Sequence, residues 1–290
     1  MMILKHFKKA LLPLTFIAVA MFLTACDEEY SGPMCTTDVG LESGEYQSAT
    51  VCYPCEMDDE DYPAVAVSGG FSNTKEQMLD YAETLVENGF IVVGVTPKGN
   101  YSTNHTYFRR ALTEGFNKLK ALNSNPESPI YDKVDTDRLA QVGYSMGGGA
   151  ALLNSQADSA GDIKATVAIS PYHPGVKPET FNAVSDSVML LTGTADVVAP
   201  ASNVVKMTDS ILCGDHGRVL FANFQGLSHL DAVSGMGSAE KHSKILEYMV
   251  AFLKTELQGD DESESVISGD IQAQYEADGL FNVYDLYEAN

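Results

Sequence analysis

Three residue types, in one order along the chain, carry the chemistry available to this sequence: a serine between glycines, an aspartate after an apolar run, and a histidine in a later loop. The serine is Ser145, within Gly143-Tyr144-Ser145-Met146-Gly147-Gly148-Gly149. Residues 139–143 read as a strand and the small residues after the serine as the start of a helix. A serine on such a turn is presented to substrate, and glycines two before and two after it leave room for neighbouring backbone. A serine hydroxyl is a weak nucleophile at neutral pH, so the chemistry also needs a base to take its proton and an acid to orient the base.

Asp196 ends the buried-strand pattern 188–195, which delivers a carboxylate to the carboxyl edge of a sheet, where ligands of open α/β sheets bind. Asp162, Asp186 and Asp215 fall at the opposite strand ends or in turns. His229 follows the run 219–228, on the loop past the last strand. Among the other histidines, His216 precedes that strand, His242 lies inside a helix, His105 follows the third strand in a loop, and His6 belongs to the leading segment. His173 reaches the correct edge but precedes the acid, and the chain order serine, acid, histidine favours His229. An oxyanion formed by attack on a carbonyl needs two backbone donors. The N–H of Met146 is one, and Phe71, in the loop Gly69-Gly70-Phe71 after the strand 64–68, supplies the second.

The elements that must position these groups alternate along the chain. Strands are expected at 49–53, 64–68, 91–95, 139–143, 165–170, 188–192 and 219–221, and helices at 75–88, 106–122, 146–156, 201–212 and 239–257. Thr74 or Asn73 caps the first helix and Gly89 closes it. This alternation predicts an α/β fold, a mostly parallel central sheet flanked by helices, as one catalytic domain over 36–257 with no internal repeat.

The ends read differently. Lys5, Lys8 and Lys9, an apolar stretch over 10–22 and Leu23-Thr24-Ala25-Cys26 have the order of a secretory signal, here over 1–25. Leu-Thr-Ala-Cys resembles a bacterial lipobox, which implies lipidation of Cys26, attachment to a membrane through it, and export to the periplasmic or cell-surface side. Residues 26–35 form an acidic spacer, and 258–290 an acidic extension without lysine or arginine. That extension is expected to be a loose linker whose apolar end, 280–287, docks as an edge strand or short helix.

In an oxidising compartment Cys35, Cys52, Cys55 and Cys213 allow one or two disulfides, with the pairing left open. Cys52-Tyr53-Pro54-Cys55 ends an extended run rather than opening a helix, which argues against a redox motif. The formal net charge of −22 argues against a nucleic-acid partner and leaves a neutral ester unaffected at long range. No residue cluster has metal-ligand spacing and no phosphate loop is present, so neither metal nor cofactor is expected.

Between about 48 and 257 the motifs resemble those of bacterial cutinases and PET (polyester) hydrolases, in the dienelactone-hydrolase-like branch of the α/β-hydrolase superfamily. The resemblance rests on Thr50-Val51-Cys52-Tyr53-Pro54, Ser68-Gly69-Gly70-Phe71-Ser72-Asn73-Thr74, Gly89-Phe90-Ile91-Val92-Val93, the segment around Ser145, Asp196-Val197-Val198-Ala199-Pro200 and Gly226-Leu227-Ser228-His229. It implies hydrolysis of small or polymeric carboxylic esters, and the chain is expected to be a monomer. It also implies a Ser145, Asp196, His229 triad, an oxyanion hole from Phe71 and Met146, and a substrate cleft lined by Phe71, Tyr172 and Val198. Tyr172 stands where the family usually has tryptophan, a residue this chain lacks entirely, so the aromatic clamp is smaller. Ser145 stands where dienelactone hydrolases carry cysteine, which implies ester hydrolysis rather than lactone opening. The alternatives are a short-chain carboxylesterase or lipase, and a silent anchored binding protein that kept the scaffold.

Overall fold

The computed structural model describes residues 33–39, 44–156 and 163–289. The signal, Cys26, most of the spacer and Asp162 lie outside the described residues.

The chain runs through β1 (Met34–Val39), β2 (Tyr46–Pro54), β3 (Tyr62–Ser68), α1 (Leu79–Glu87), β4 (Ile91–Pro97), α2 (His105–Asn123), β5 (Val134–Tyr144) and α3 (Met146–Ser155). It continues through β6 (Ile163–Ile169), β7 (Ser187–Gly193), α4 (Ala201–Leu212), β8 (Val219–Phe224), α5 (Ala239–Gln258), α6 (Asp261–Ser268), α7 (Asp270–Ala277) and β9 (Phe281–Tyr287). One nine-stranded sheet has the order β1-β2-β4-β3-β5-β6-β7-β8-β9. Strands β4, β3, β5, β6, β7 and β8 are parallel neighbours, while β2 joins β1 and β4 antiparallel and β9 joins β8 antiparallel.

Covered on both faces, the central strands are almost continuously apolar, as parallel strands between helix layers must be. Val65 and Val67 of β3 pack with Tyr81 and Leu85 of α1 and Tyr248 and Phe252 of α5. Ala64 and Ala66, pointing the other way, pack with Ala111, Leu112 and Leu119 of α2. Alternate residues of one strand thus serve two layers. On the second face α4 contributes Val204, Met207 and Ile211 against Val188 and Leu190 of β7.

Local chemistry sets the helix ends. The Asn104 side chain accepts from the Thr106 N–H at the start of α2, and the Ser238 side chain accepts from the Lys241 N–H at the start of α5. Gly259, at φ 67°, ends α5 in the left-handed region that a side chain would disfavour. Thr74 and Gln77 form a capping box, but the turn they open, Lys75–Met78, is a 3-10 turn that leads into α1.

The structure departs from expectation at both ends. An additional strand, β1, begins at Met34, two residues before the expected start of the domain, and Cys35 within it is disulfide-bonded to Cys55. Cys52 is a buried free thiol and Cys213 an exposed one. The segment read as a loose linker is helical, since α6 and α7 occupy 261–277. Arg218 holds it, with salt bridges to Glu256 at 3.4 Å, Glu264 at 2.7 Å and Glu288 at 3.3 Å. β9 then completes the sheet edge, and its Phe281 ring lies 4.8 Å from Phe224 and 5.3 Å from Tyr248, centroid to centroid.

Candidate active site

Ser145 is the single residue between β5 and α3. Its backbone is at φ 53°, ψ −114°, in a region few non-glycine residues occupy, at a cost of order 1–3 kcal/mol. The turn is held by its surroundings: the Ser145 N–H donates to Ile169 O at 2.9 Å, and the Ser145 carbonyl accepts from Gly149 N at 3.0 Å and Tyr172 N at 2.9 Å. The flanking glycines have a steric reason. A Cβ on Gly143 would lie 2.2 Å from Gly147 O, and one on Gly147 would lie 2.5 Å from Gly69 O. Backbone of the turn therefore passes through space that any side chain would fill.

Asp196 follows β7 and His229 follows β8, neighbouring strands that end at the same sheet edge as β5. Three loops converge there. His229 Nε2 lies 3.0 Å from Ser145 Oγ, and its Nδ1 lies 2.8 Å from Asp196 Oδ2. A carboxylate only accepts, so Nδ1 carries the proton and the Nε2 lone pair faces the serine hydroxyl. The other oxygen of Asp196 accepts from the N–H groups of Val198 at 2.9 Å and Ala199 at 2.8 Å. Burial pushes the Asp196 carboxyl up, but the bond from His229, the Ala199 N–H and the neighbouring imidazole outweigh it and hold it below the ordinary carboxylate value. It therefore stays ionised.

The rival groups lie elsewhere. His173 stacks beside His105 with ring centroids 5.0 Å apart, and His105 Nε2 donates to Tyr172 O at 2.8 Å. His105 is the first residue of α2 rather than part of a loop. His216 Nδ1 meets Gly217 O at 2.7 Å, before β8, and His242 bonds Asp80 and the Asp231 carbonyl. Asp186 takes hydrogen bonds from Thr166 at 2.6 Å and Ser155 at 3.0 Å at the far end of the sheet.

Met146 opens α3, so its N–H has no carbonyl one turn earlier to accept it. In the turn after β3, Gly70 N donates to Asn73 Oδ1 at 3.0 Å and Ser72 N to Asn100 O at 2.6 Å, and Phe71 N between them has no partner among the described residues. Gly70 packs against the Ser145 turn, where an added Cβ would sit 2.6 Å from Ser145 Cβ. Among the described residues, two N–H groups without a partner thus flank the serine.

Around this centre Phe71 is 49% exposed and Val198 50% exposed, while the Tyr172 ring is partly buried against Phe108, Met146 and Ala150. Sequence reasoning missed the supports of the His229 loop. Tyr144 Oη donates to the His229 carbonyl at 3.0 Å, and Tyr81 Oη donates to the Ala232 carbonyl at 2.7 Å. Asp231 and Ser228 close the loop as a capping box, a signal legible as Ser-x-x-Asp. Among the described residues, no group of three or more His, Cys, Asp or Glu side chains could hold a metal ion, and no helix is long and apolar enough to cross a membrane.

A mostly parallel sheet with this strand order, flanked by helices and carrying serine, aspartate and histidine at one edge, defines an α/β-hydrolase fold. A family profile described as PET hydrolase-like matches residues 21–278, and the chain belongs to that family. The match runs past residue 257, where the recognisable motifs stop. Cutinase 1 of Thermobifida cellulosilytica is 26% identical over 186 residues, covering 62% of this chain and 65% of that protein. A cutinase of Thermobifida fusca is 26% identical over 62% of this chain and 57% of its own length. A bis(hydroxyethyl) terephthalate hydrolase of Streptomyces coelicolor is 24% identical over 61% of this chain and 54% of its own length. The chain therefore spans less than two-thirds of the length of these relatives.

Proposed function

We propose that the protein is a serine carboxylic-ester hydrolase of the cutinase and polyesterase kind, with Ser145 as nucleophile, His229 as base and Asp196 as the acid that orients it. The observation that carries this reading is the continuous hydrogen-bonded path from Ser145 Oγ through His229 to Asp196, at 3.0 and 2.8 Å. Family membership and the cutinase relatives support the choice of an ester over other acyl compounds.

In this mechanism Ser145 Oγ attacks the ester carbonyl carbon while His229 Nε2 takes the hydroxyl proton. The oxyanion lies against the N–H groups of Phe71 and Met146, neither of which must give up another partner to receive it. The imidazolium, held by ionised Asp196, passes its proton to the departing alkoxide, and the alcohol leaves an acyl-enzyme on Ser145. Water enters, His229 takes a proton from it, and collapse of the second tetrahedral intermediate returns Ser145 and releases the acid. Phe71, Tyr172 and Val198 line the cleft for the acyl group, in a site that needs no cofactor.

Export fits the Cys35–Cys55 disulfide, and lipidation of Cys26 would tether the enzyme to the membrane that it crosses. The deciding experiment is hydrolysis of p-nitrophenyl esters of short to long acyl chains by the domain from residue 33, beside a Ser145→Ala control. Turnover that disappears in the control, with a graded chain-length preference, is expected. Absence of turnover with every ester would leave the silent binding reading.

A further inference from the structure

We propose that Tyr101 is a substrate-contacting residue which, with Phe71, forms an aromatic edge of the cleft and favours esters of aromatic acids; this rests on the ester-hydrolase reading above. Tyr101 is 73% exposed, and its ring meets Phe71 edge to face, with centroids 6.1 Å apart and planes at 83°. Phe71 in turn carries the free N–H next to Ser145, so the pair stands beside the reacting carbonyl.

Exposed aromatic rings are ordinary on mobile turns, but this turn is fixed from several sides. The Gln47 amide donates to Pro97 O at 3.1 Å, Lys98 O at 3.2 Å and Asn100 Oδ1 at 3.0 Å. Asn100 Nδ2 donates to Asn73 O at 3.1 Å, and Asn100 O receives the Ser72 N–H at 2.6 Å. The Tyr107 ring lies directly on Gly99, where an added Cβ would sit 2.6 Å from it. The same bonds that set the oxyanion turn therefore set the backbone that leads into Tyr101. A ring on a turn whose backbone is already fixed, left in water, gives up no backbone freedom when an apolar group covers it, which is the physical profile of a binding contact.

The chemistry of the neighbours names the ligand. Tyr172, the other aromatic residue at the cleft, has its N–H and carbonyl engaged by Ser145 and His105, and its ring is partly committed to Phe108, Met146 and Ala150. With no tryptophan in the chain, Phe71 and Tyr101 offer the exposed aromatic surface beside the site, and it suits a flat, neutral aryl ring packed edge to face or offset.

The test compares kcat/KM for bis(2-hydroxyethyl) terephthalate with that for ethyl butyrate in the wild type, Tyr101→Ala and Tyr101→Phe. Tyr101→Ala is expected to lower the aromatic-to-aliphatic ratio by about threefold to tenfold, chiefly through KM, and Tyr101→Phe to keep it within about twofold. A ratio unmoved in Tyr101→Ala, with both esters still cleaved, overturns the role of Tyr101 and leaves the esterase reading standing. Equal loss on both esters marks a structural role and also overturns it. A wild type that cleaves neither ester removes both readings together. Unchanged melting of Tyr101→Ala checks that the exposed ring is not part of the fold.

Discussion

The Tyr144 phenol donates to the His229 backbone carbonyl at 3.0 Å, and its ring lies 5.0 Å from the imidazole, centroid to centroid. The residue that precedes the proposed nucleophile thus grips the loop that carries the proposed base. Tyr144 is buried, and burial, reinforced by the Asp196 charge, pushes its hydroxyl well above the ordinary phenol value, so it remains a donor.

Tyr144→Phe leaves a buried carbonyl without its partner, which typically costs about 1–3 kcal/mol, and loosens His229 relative to Ser145. The expected result is a fall in kcat of about tenfold with KM little changed, since the cleft surface is not touched. Steady-state kinetics on a short-chain ester, with thermal melting alongside, reads both effects. A variant that loses stability but keeps kcat would reduce Tyr144 to packing.

Asp186 gives a pH dependence of stability. Burial pushes its carboxyl up to about 6, against the bonds from Thr166 and Ser155 that would lower it, and its second oxygen has no partner among the described residues. Between its ordinary value of 3.8 and about 6 the folded chain holds a proton that the unfolded chain has released, so this group makes stability fall as pH rises through that window. Asp186→Asn should therefore raise the melting temperature at pH 8 more than at pH 4.5, by a free energy on the order of 2 kcal/mol. Equal shifts at the two pH values would contradict the assignment.

The acidic C-terminal segment is expected to contribute to stability despite its composition. Phe281→Ala removes a ring packed on Phe224, Tyr248 and Tyr284 and should cost about 2 kcal/mol, or several degrees of melting temperature. Deletion of 259–290 should cost more, because it also bares the β8 edge that β9 covers. Because β8 leads to His229, loss of turnover should track loss of stability; a deletion that melts like the intact chain would show that the segment lies outside the cooperative fold.

The core of the fold was legible because apolar runs and caps agree locally. Ala201–Leu212 stands where the helix period places it, and each of the seven central strands has its counterpart, with ends displaced by a few residues. β1 was missed because Met34-Cys35-Thr36-Thr37-Asp38-Val39 has too few apolar residues for a strand period, and its place comes from pairing with β2. The disulfide was unreadable for the same reason: Cys35 reaches Cys55 only once that register exists. Helices α6 and α7 are acidic along their length, and what orders them is distant, namely Arg218 and the aromatic residues of α5 and β9. At the site, the serine turn and the chain order pointed to Ser145, Asp196 and His229, which lie within hydrogen-bond reach. Tyr81, Tyr101 and Tyr144 could not be singled out among 14 tyrosines, because nothing local says where a phenol will point.

The sheet order has a topological consequence for circularising the molecule. β1 and β9 form opposite edges of the nine-stranded sheet, so with about 4.8 Å between strands the two edge strands lie roughly 40 Å apart measured across the sheet. Joining residue 289 to residue 33 would need a linker of at least about a dozen extended residues. A shorter loop would pull at both edge strands, and the one to yield would be β9, because the Cys35–Cys55 disulfide ties β1 to the end of β2.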